Sequence, residues 1–122
     1  MIPKFRAWDK DEKYFITEAT IVLDKDGSVE EIEYYHTKLG HSVYNDISYY
    51  ELLQSTGLKD KNGVEIFEGD IVSCFKEGLS VVEYHHGGFG LVCNGYFESF
   101  INAFGEVEVL GNKYEHPYLL KE

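Results

Sequence analysis

The chain has 122 residues, of which 43% are hydrophobic and 16% are aromatic, and its formal net charge at pH 7 is −11. The hydrophobic share excludes disorder throughout, and the length predicts one domain, since two separate cores would each be marginal. The acidic charge disfavours direct binding to nucleic-acid phosphates or to anionic membranes, because no Lys/Arg cluster exists to replace counterions. Neither a signal peptide nor an apolar run of about 20 residues is predicted.

The N-terminal part of the chain predicts short strands joined by polar turns. The predicted strands are residues 2–8, 14–16, 20–23 and 29–35. Residues 24–27 form the turn of a hairpin, and Glu31 and Glu33 face outward from the strand that follows.

Residues 36–46 have the weakest pattern in the chain. They contain several turn-forming residues, including Gly40, Asn45 and Asp46, and we expect an irregular loop here. Residues 47–54 follow, and their apolar spacing is compatible with either a helix or a strand.

The run from residue 53 to residue 72 is the most informative in the sequence. Leu58 on one side and Val64 and Ile66 on the other flank the polar segment of residues 60–63, which ends in Asn-Gly. Asn-Gly between apolar patches indicates a hairpin, because both residues tolerate a positive φ. Residues 68–70, Glu-Gly-Asp, then break the chain before another strand.

The C-terminal part predicts three further strands at residues 71–75, 81–85 and 89–93, separated by glycines. Residues 98–104 are compatible with a helix or a strand, and residues 107–110 form a strand with Val107 and Val109 inward. We expect residues 114–120 to form a single helical turn that docks Tyr118 and either Leu119 or Leu120.

Three segments in the same order resemble the YopX family. They are the run of residues 53–72, the segment Lys4-Phe5-Arg6-Ala7-Trp8-Asp9, and the segment Val109-Leu110-Gly111-Asn112-Lys113-Tyr114-Glu115-His116-Pro117. The resemblance implies a mainly β fold, with an SH3-like, partly open barrel in the C-terminal part and a smaller N-terminal β portion. It implies a single domain over residues 1–122 and favours a strand within residues 47–54.

The same resemblance implies a small accessory protein encoded by phages and prophages, acting in the cytoplasm of a bacterial host cell. It brings no established activity and no agreed catalytic residues. We interpret the recurring motif residues as structural, with Asp70 accepting hydrogen bonds from turn amides. They are Trp8, Gly57, Asp60, Gly63, Glu68, Gly69, Asp70, Gly111, Asn112 and Pro117.

No metal site, cofactor or catalytic residue is predicted. The loops that begin at Asp24 and Asp60 superficially resemble calcium loops, but both lack Gly at the sixth position and Glu at the twelfth. The adjacent His85 and His86 point to opposite faces of a strand and cannot easily share an ion. Cys74 and Cys93 are predicted to be buried free thiols.

Two tyrosine pairs form a candidate binding surface. If Tyr34-Tyr35 and Tyr49-Tyr50 lie in strands, one tyrosine of each pair must leave the core face. Exposed tyrosine beside glutamate is common at recognition surfaces. Tyrosine also covers the core edge of small barrels with its hydroxyl in water, and the sequence leaves both interpretations open.

The preferred hypothesis is a non-enzymatic module that binds an unknown protein partner through this acidic, tyrosine-bearing surface. An acidic mimic of DNA, directed at a basic nucleic-acid-binding protein, is a special case. One alternative is a small enzyme or ligand-binding barrel that uses Glu65, Glu68 and Asp70 with His85 or His86. The other is a structural homo-oligomer that associates through an edge strand.

Overall fold

The computed structural model describes residues 4–74, 78–85, 87–93, 96–99 and 107–120. This part of the chain is mainly β, and its helical structure is limited to two short 3-10 helices at Ile47–Tyr49 and Pro117–Leu120. No helix in it is long and apolar enough to cross a membrane. The strands are β1 (Phe5–Asp9), β2 (Tyr14–Ile16), β3 (Thr20–Leu23), β4 (Val29–His36), β5 (His41–Asp46), β6 (Tyr50–Lys59), β7 (Glu65–Phe67), β8 (Asp70–Cys74), β9 (Leu79–His85), β10 (Gly88–Cys93), β11 (Tyr96–Ser99) and β12 (Val107–Asn112).

The chain divides into two compact units, and the boundary falls within β6. The N-terminal unit is Phe5–Leu53, and the C-terminal unit is the described part of Gln54–Glu122 together with Lys4. The single domain expected over residues 1–122 stays a prediction.

The N-terminal unit contains two sheets around one apolar core. β1 and β2 form an antiparallel hairpin, with β6 on the other side of β1, and β3, β4 and β5 form a three-stranded antiparallel sheet. More buried and more exposed residues alternate along residues 31–35 of β4 and along β5, so this sheet turns one face inward. The buried core residues are Ala7, Ile16, Ile32, Tyr34 and Tyr50.

The alternation predicted along β4 is confirmed. Ile32 and Tyr34 are buried, whereas Glu31, Glu33 and Tyr35 lie on the other face of the strand. This face therefore points away from the core of the N-terminal unit.

The expected irregular loop at residues 36–46 is wrong. Residues 41–46 form β5, which pairs with β4 from His36 opposite His41 to Glu31 opposite Asp46. The turn before β5 ends at Gly40, whose φ of 74° favours glycine. Polar residues suit this strand because only Val43 packs against the core, and the ladder with β4 satisfies its backbone.

Residues 47–54 contain both structures that the sequence allowed. Ile47–Tyr49 form a 3-10 helix, and the strand β6 begins at Tyr50. Asp46 caps the helix, because its Oδ1 accepts a 2.8 Å hydrogen bond from the amide of Ser48.

The C-terminal unit carries the half-barrel sheet that the fold class predicted. Its five strands lie in the order β11-β10-β9-β8-β12, and the second part of β6 pairs with β7. Strands β8, β9 and β10 fall where the sequence predicted strands. The core is built from Ile66, Val72, Val82, Leu91 and Val107.

The ends of the C-terminal elements differ in part from the expectation. Residues 96–99 form β11, while residues 100–104 lie outside the described part of the chain, as does residue 75. β12 continues to Asn112, with Val107 buried and Val109 against the core as predicted. The helical turn is present at Pro117–Leu120, but Tyr118 is exposed and does not dock.

The cysteine expectation is only partly met. Cys93 is a free thiol but is half-buried rather than buried. The side chain of Cys74 lies outside the described atoms.

Candidate functional site

Asp60 organises the turn at residues 60–63. Its Oδ1 accepts hydrogen bonds from the amides of Asn62 and Val64, and its Oδ2 accepts one from the amide of Val109, each at 2.8 Å. Burial raises the pKa of Asp60, but these three hydrogen bonds outweigh burial and hold the pKa below its ordinary value. The buried carboxylate therefore ties the hairpin to β12 in its ionised form.

The hairpin forms where it was predicted, although the backbone geometry differs from the expectation. Gly63 has a φ of 83°, and its amide donates to the carbonyl of Asp60 at 3.0 Å. Asn62 does not share the positive φ; the only non-glycine residue with one in the described chain is Lys13. The left-handed conformation is thus confined to the glycine.

The next corner is built from Gly69 and Asp70. Asp70 is buried, and its Oδ2 accepts a 2.8 Å hydrogen bond from the amide of Phe67. Gly69 has a φ of 89°, donates its amide to the carbonyl of Val82 and accepts from the amide of Lys113. The Glu68 backbone amide donates to the carbonyl of Gln54 at 2.9 Å, and the corner is thereby tied to β6.

Asn112 closes the last motif segment. Its Oδ1 accepts from the amides of Tyr114 and Glu115, and its own amide donates to Nδ1 of His116 at 3.1 Å. The imidazole of His116 lies against Gly111, where an added Cβ would be 2.7 Å from Nδ1. The glycine provides room for the ring just before the helix that begins at Pro117.

The two remaining motif residues also have structural surroundings. Trp8 is buried and packs against Phe15 with ring centroids 4.8 Å apart. Gly57 has a φ of 79°, and its amide donates to Oγ of Ser55. These contacts are the geometry that a structural role for the motif requires, and the role itself stays an interpretation.

The carboxylates and histidine of the enzyme alternative have separate neighbours. Glu65 lies 2.9 Å from Nζ of Lys4 and 2.6 Å from Oγ of Ser55, and these hydrogen bonds hold its pKa below the ordinary value. A general acid would need the opposite shift. His85 lies 2.7 Å from Glu83, and its ring packs against Phe97; His86 lies outside the described residues.

The two loops that resemble calcium sites are hairpin turns. In the first, the amide of Gly27 donates to the carbonyl of Asp24, and the amide of Ser28 donates to Oδ1 of Asp26. Across the described residues, no group of three or more His, Cys, Asp or Glu side chains is placed to hold a metal ion.

The tyrosine pairs divide between the core and the surface. Tyr34 and Tyr50 are 7% and 5% exposed, and their hydroxyl oxygens lie 3.1 Å apart. Tyr35 and Tyr49 are 62% and 56% exposed. The four tyrosines therefore do not form one surface, and within the two pairs only Tyr35 and Tyr49 are exposed.

The outer face of the β3-β4-β5 sheet brings exposed tyrosines and half-buried glutamates together. Glu33 lies directly opposite Tyr44, Glu31 opposite Asp46, and Tyr35 opposite Ser42, and cross-strand partners share a face of the sheet. We call Glu31, Glu33, Tyr35 and Tyr44 the acidic face. Tyr44 is 64% exposed and was missed, although its alternation with Val43 was visible in the sequence.

The charge of the acidic face is uncompensated within its own sheet. None of the three strands contains Lys or Arg. Glu31, Glu33, Tyr35 and Tyr44 make no side-chain hydrogen bond or ion pair with any other residue of the described chain. Like charges directly opposite each other, as at Glu31 and Asp46, destabilise a sheet, so folding alone does not favour this arrangement.

The geometry defines a class of small, mainly β protein whose recurring polar residues sit at its turns and whose N-terminal sheet presents an acidic, aromatic face. The model of the YopX protein family matches residues 4–121, and the chain belongs to that family. It is similar to the crystal structure of protein EF1440 from Enterococcus faecalis, with 34% identity, a TM-score of 0.70 and 99% of each chain covered. A comparison with curated proteins found no match.

Proposed function

We propose that this YopX-family protein is a non-enzymatic, phage- or prophage-encoded accessory module that binds a basic protein in the bacterial cytoplasm. The observation that carries the proposal is the acidic face, where Tyr35 and Tyr44 are exposed beside Glu31 and Glu33. The net charge of −11 gives the whole chain the same sign. A partner with a Lys/Arg-rich surface would be attracted at long range and oriented on contact.

The two tyrosines provide the contact chemistry. Tyrosine offers a large apolar ring with one polar group and little rotamer entropy, which is why it is enriched at protein interfaces. Lys and Arg side chains are attracted to the ring faces and to the adjacent carboxylates. Because Glu31 and Glu33 are only half-buried, dissolved ions screen their charge, and the attraction should weaken with salt.

The test compares three forms of the protein as baits for a bacterial lysate: the wild type, the double variant Glu31→Lys/Glu33→Lys, and the double variant Glu51→Lys/Glu98→Lys. Glu51 on β6 and Glu98 on β11 are exposed carboxyls in other sheets, so their double reversal controls for the same change in net charge. Captured proteins are identified by mass spectrometry at about 50 mM and about 300 mM salt, which differ in screening length.

The proposal predicts that one protein of basic isoelectric point is retained by the wild type and by Glu51→Lys/Glu98→Lys and is lost with Glu31→Lys/Glu33→Lys. Its retention should decrease at the higher salt concentration. Capture of nothing above background at either concentration would contradict the proposal. Equal loss with both variants would reduce the effect to net charge and exclude the acidic face as the site.

A further inference from the structure

The N-terminal unit contains a half-open groove of about 850 Å³ between β2 and the end of β4. Its volume lies in the range of small-ligand sites, about 300–1,000 Å³. No motif residue lines the groove, and Tyr35 is the one residue of the acidic face that does.

Tyr14, Tyr34 and His36 are three neighbouring aromatic residues that line the groove. The ring of His36 stacks on Tyr34 with centroids 6.2 Å apart and planes at 30°. Tyr14 is hydrogen-bonded to Tyr34, and the hydroxyl of Tyr34 contacts that of Tyr50 at 3.1 Å. Tyr34 is therefore held in place from two sides, so part of the aromatic wall is already positioned before a ligand arrives.

The charge around the groove is mainly negative. Glu12 and Glu18 line it on the side of β2, and Lys38 is the one Lys or Arg among its lining residues. Burial raises the pKa of Tyr14 to about 12, supported by the hydrogen bond to Tyr34 and by the charges of Asp9 and Glu12. The carboxylates of Glu12 and Glu18 favour a cation over an anion in the groove.

The same unit already contains a guanidinium held over an aromatic ring. The Cζ atom of Arg6 lies 4.4 Å from the ring centroid of Phe15. Arginine is planar and weakly hydrated and stacks on aromatic rings more readily than lysine does. Aromatic walls with a carboxylate rim are therefore suited to a guanidinium group.

We propose that the groove binds an arginine side chain of the basic partner, with the guanidinium against Tyr14, Tyr34 and His36 and its charge facing Glu12 and Glu18. The inference rests on the proposed function for the source of the arginine. The site itself is tested on the purified protein without the partner.

The probes are two blocked tripeptides, acetyl-Gly-Arg-Gly-amide and its citrulline analogue, which has the same shape without the charge. Each is titrated into the full chain labelled with ¹⁵N, and amide shifts are followed by NMR. The arginine peptide should bind roughly three- to thirtyfold more tightly than the citrulline peptide, as expected for a cation over aromatic rings. The shifts should cluster around Thr17, Glu18 and His36, which line the groove.

Substitutions at two exposed residues test whether negative charge in the groove favours binding of the arginine peptide. Glu18→Gln should weaken binding of the arginine peptide about two- to fivefold, and Lys38→Gln should strengthen it by a similar factor. Weaker binding of the arginine peptide to Lys38→Gln would contradict the charge argument and overturn the proposal. Equal binding of the two peptides, shifts confined to the acidic face, or no saturable shift would also overturn it.

The two proposals fail in different ways. Selective binding of the arginine peptide without capture of a basic partner would retain the cation site and contradict the proposed function. Capture that depends on Glu31 and Glu33, without arginine selectivity in the groove, would retain the proposed function and overturn the groove site.

Discussion

The corner at Asp60 and the acidic face use the same kind of side chain in opposite ways. In the C-terminal unit, the carboxylate of Asp60 is buried and accepts three amide hydrogen bonds. In the N-terminal unit, Glu31 and Glu33 line a sheet face without hydrogen bonds or ion pairs to the rest of the described chain. Asp60 directly follows β6, whereas Glu31 and Glu33 lie within β4.

The comparison shows that a carboxylate's place in the family motif does not mean that it is available to bind a ligand. A motif carboxylate whose lone pairs are filled by backbone amides stabilises the fold and has little left to offer a ligand. A carboxylate that folding leaves without a partner, beside exposed tyrosine, is available for binding. Substitutions should therefore separate stability from binding between the two regions.

The largest expected effect is that of Asp60→Ala. The substitution leaves three amides, of Asn62, Val64 and Val109, without their acceptor, and we expect a loss of about 3–5 kcal/mol in the free energy of unfolding. Urea denaturation followed by circular dichroism measures it. Asp26→Ala is the matched control, because Asp26 accepts a turn amide at a fully exposed position, and its effect should be much smaller. Equal losses of stability in Asp60→Ala and Asp26→Ala would contradict the prediction that the buried carboxylate of Asp60 stabilises the fold more than the exposed one of Asp26.

The second prediction concerns the space at Gly111. An Ala Cβ there would lie 2.7 Å from Nδ1 of His116 and 3.2 Å from Cδ1 of Leu119. Gly111→Ala should therefore lower the free energy of unfolding by about 1–3 kcal/mol through overpacking. Gly88→Ala is the control, because a Cβ at Gly88 meets no heavy atom within 4 Å. A Gly111→Ala variant as stable as Gly88→Ala would show that the helix at Pro117–Leu120 moves freely away.

The third prediction uses the two members of one tyrosine pair. Tyr34→Phe removes a buried hydroxyl that contacts Tyr50, and it should lower the free energy of unfolding by about 1–2 kcal/mol. Tyr35→Phe changes an exposed hydroxyl and should leave stability unchanged. Thermal and urea unfolding of both variants check the contrast. The reverse order would mean that the exposed tyrosine belongs to a hydrogen-bonded network.

Much of the fold follows from local sequence pattern. The alternation of Glu31, Ile32, Glu33, Tyr34 and Tyr35 predicts both the strand and its inward face, because the side-chain period of a strand is two. The turn at residues 60–63 is likewise predicted by its polar residues between apolar patches.

The contacts that define the candidate site are long-range and carry no local signal. The hydrogen bond from the amide of Val109 to Asp60 joins residues 49 positions apart. β5 escaped prediction because turn-forming residues outweighed a single inward Val43, and pairing with β4 overrode that preference. With β5 unrecognised, neither Tyr44 nor the row it forms with Glu33 could be placed. The groove beside Tyr14 depends on two strands meeting in space and was missed for the same reason.

The fourth prediction concerns pH. Hydrogen bonds from Lys4 and Ser55 hold the pKa of Glu65 below its ordinary value of 4.5, so the unfolded chain takes up this proton first as the pH falls. The contribution is present above about pH 5 and is lost as the pH falls through the folded pKa. Glu65→Gln should remove about 0.5–1 kcal/mol at neutral pH and flatten the decline towards acid, since the ion pair with Lys4 is partly exposed.

The measurement is the free energy of unfolding at several values between about pH 6 and about pH 3, where carboxyl groups titrate. Glu98→Gln, at an exposed position on β11, is the control and should retain the wild-type slope. A Glu65→Gln variant with an unchanged slope would contradict the prediction.

The smallest effect tests the acidic face most directly. Glu31 lies opposite Asp46, whose carboxylate is held by the amide of Ser48 and cannot easily turn away. Glu31→Gln removes a like-charge pair and should raise the free energy of unfolding by about 0.2–1 kcal/mol, with the gain shrinking as salt is added. Glu30→Gln is the control, because Glu30 is exposed on the same strand but is not paired with Asp46.

The stability of Glu31→Gln is to be compared with its capture of the basic partner. If Glu31→Gln is more stable than the wild type and also captures less of the basic partner, the carboxylate opposes folding and serves the interaction. If the substitution destabilises the protein, Glu31 has an internal role like that of Asp60, and the contrast between the two regions fails at this residue. A gain in stability with undiminished capture would place the binding surface away from Glu31, because the charge would then be dispensable for both properties.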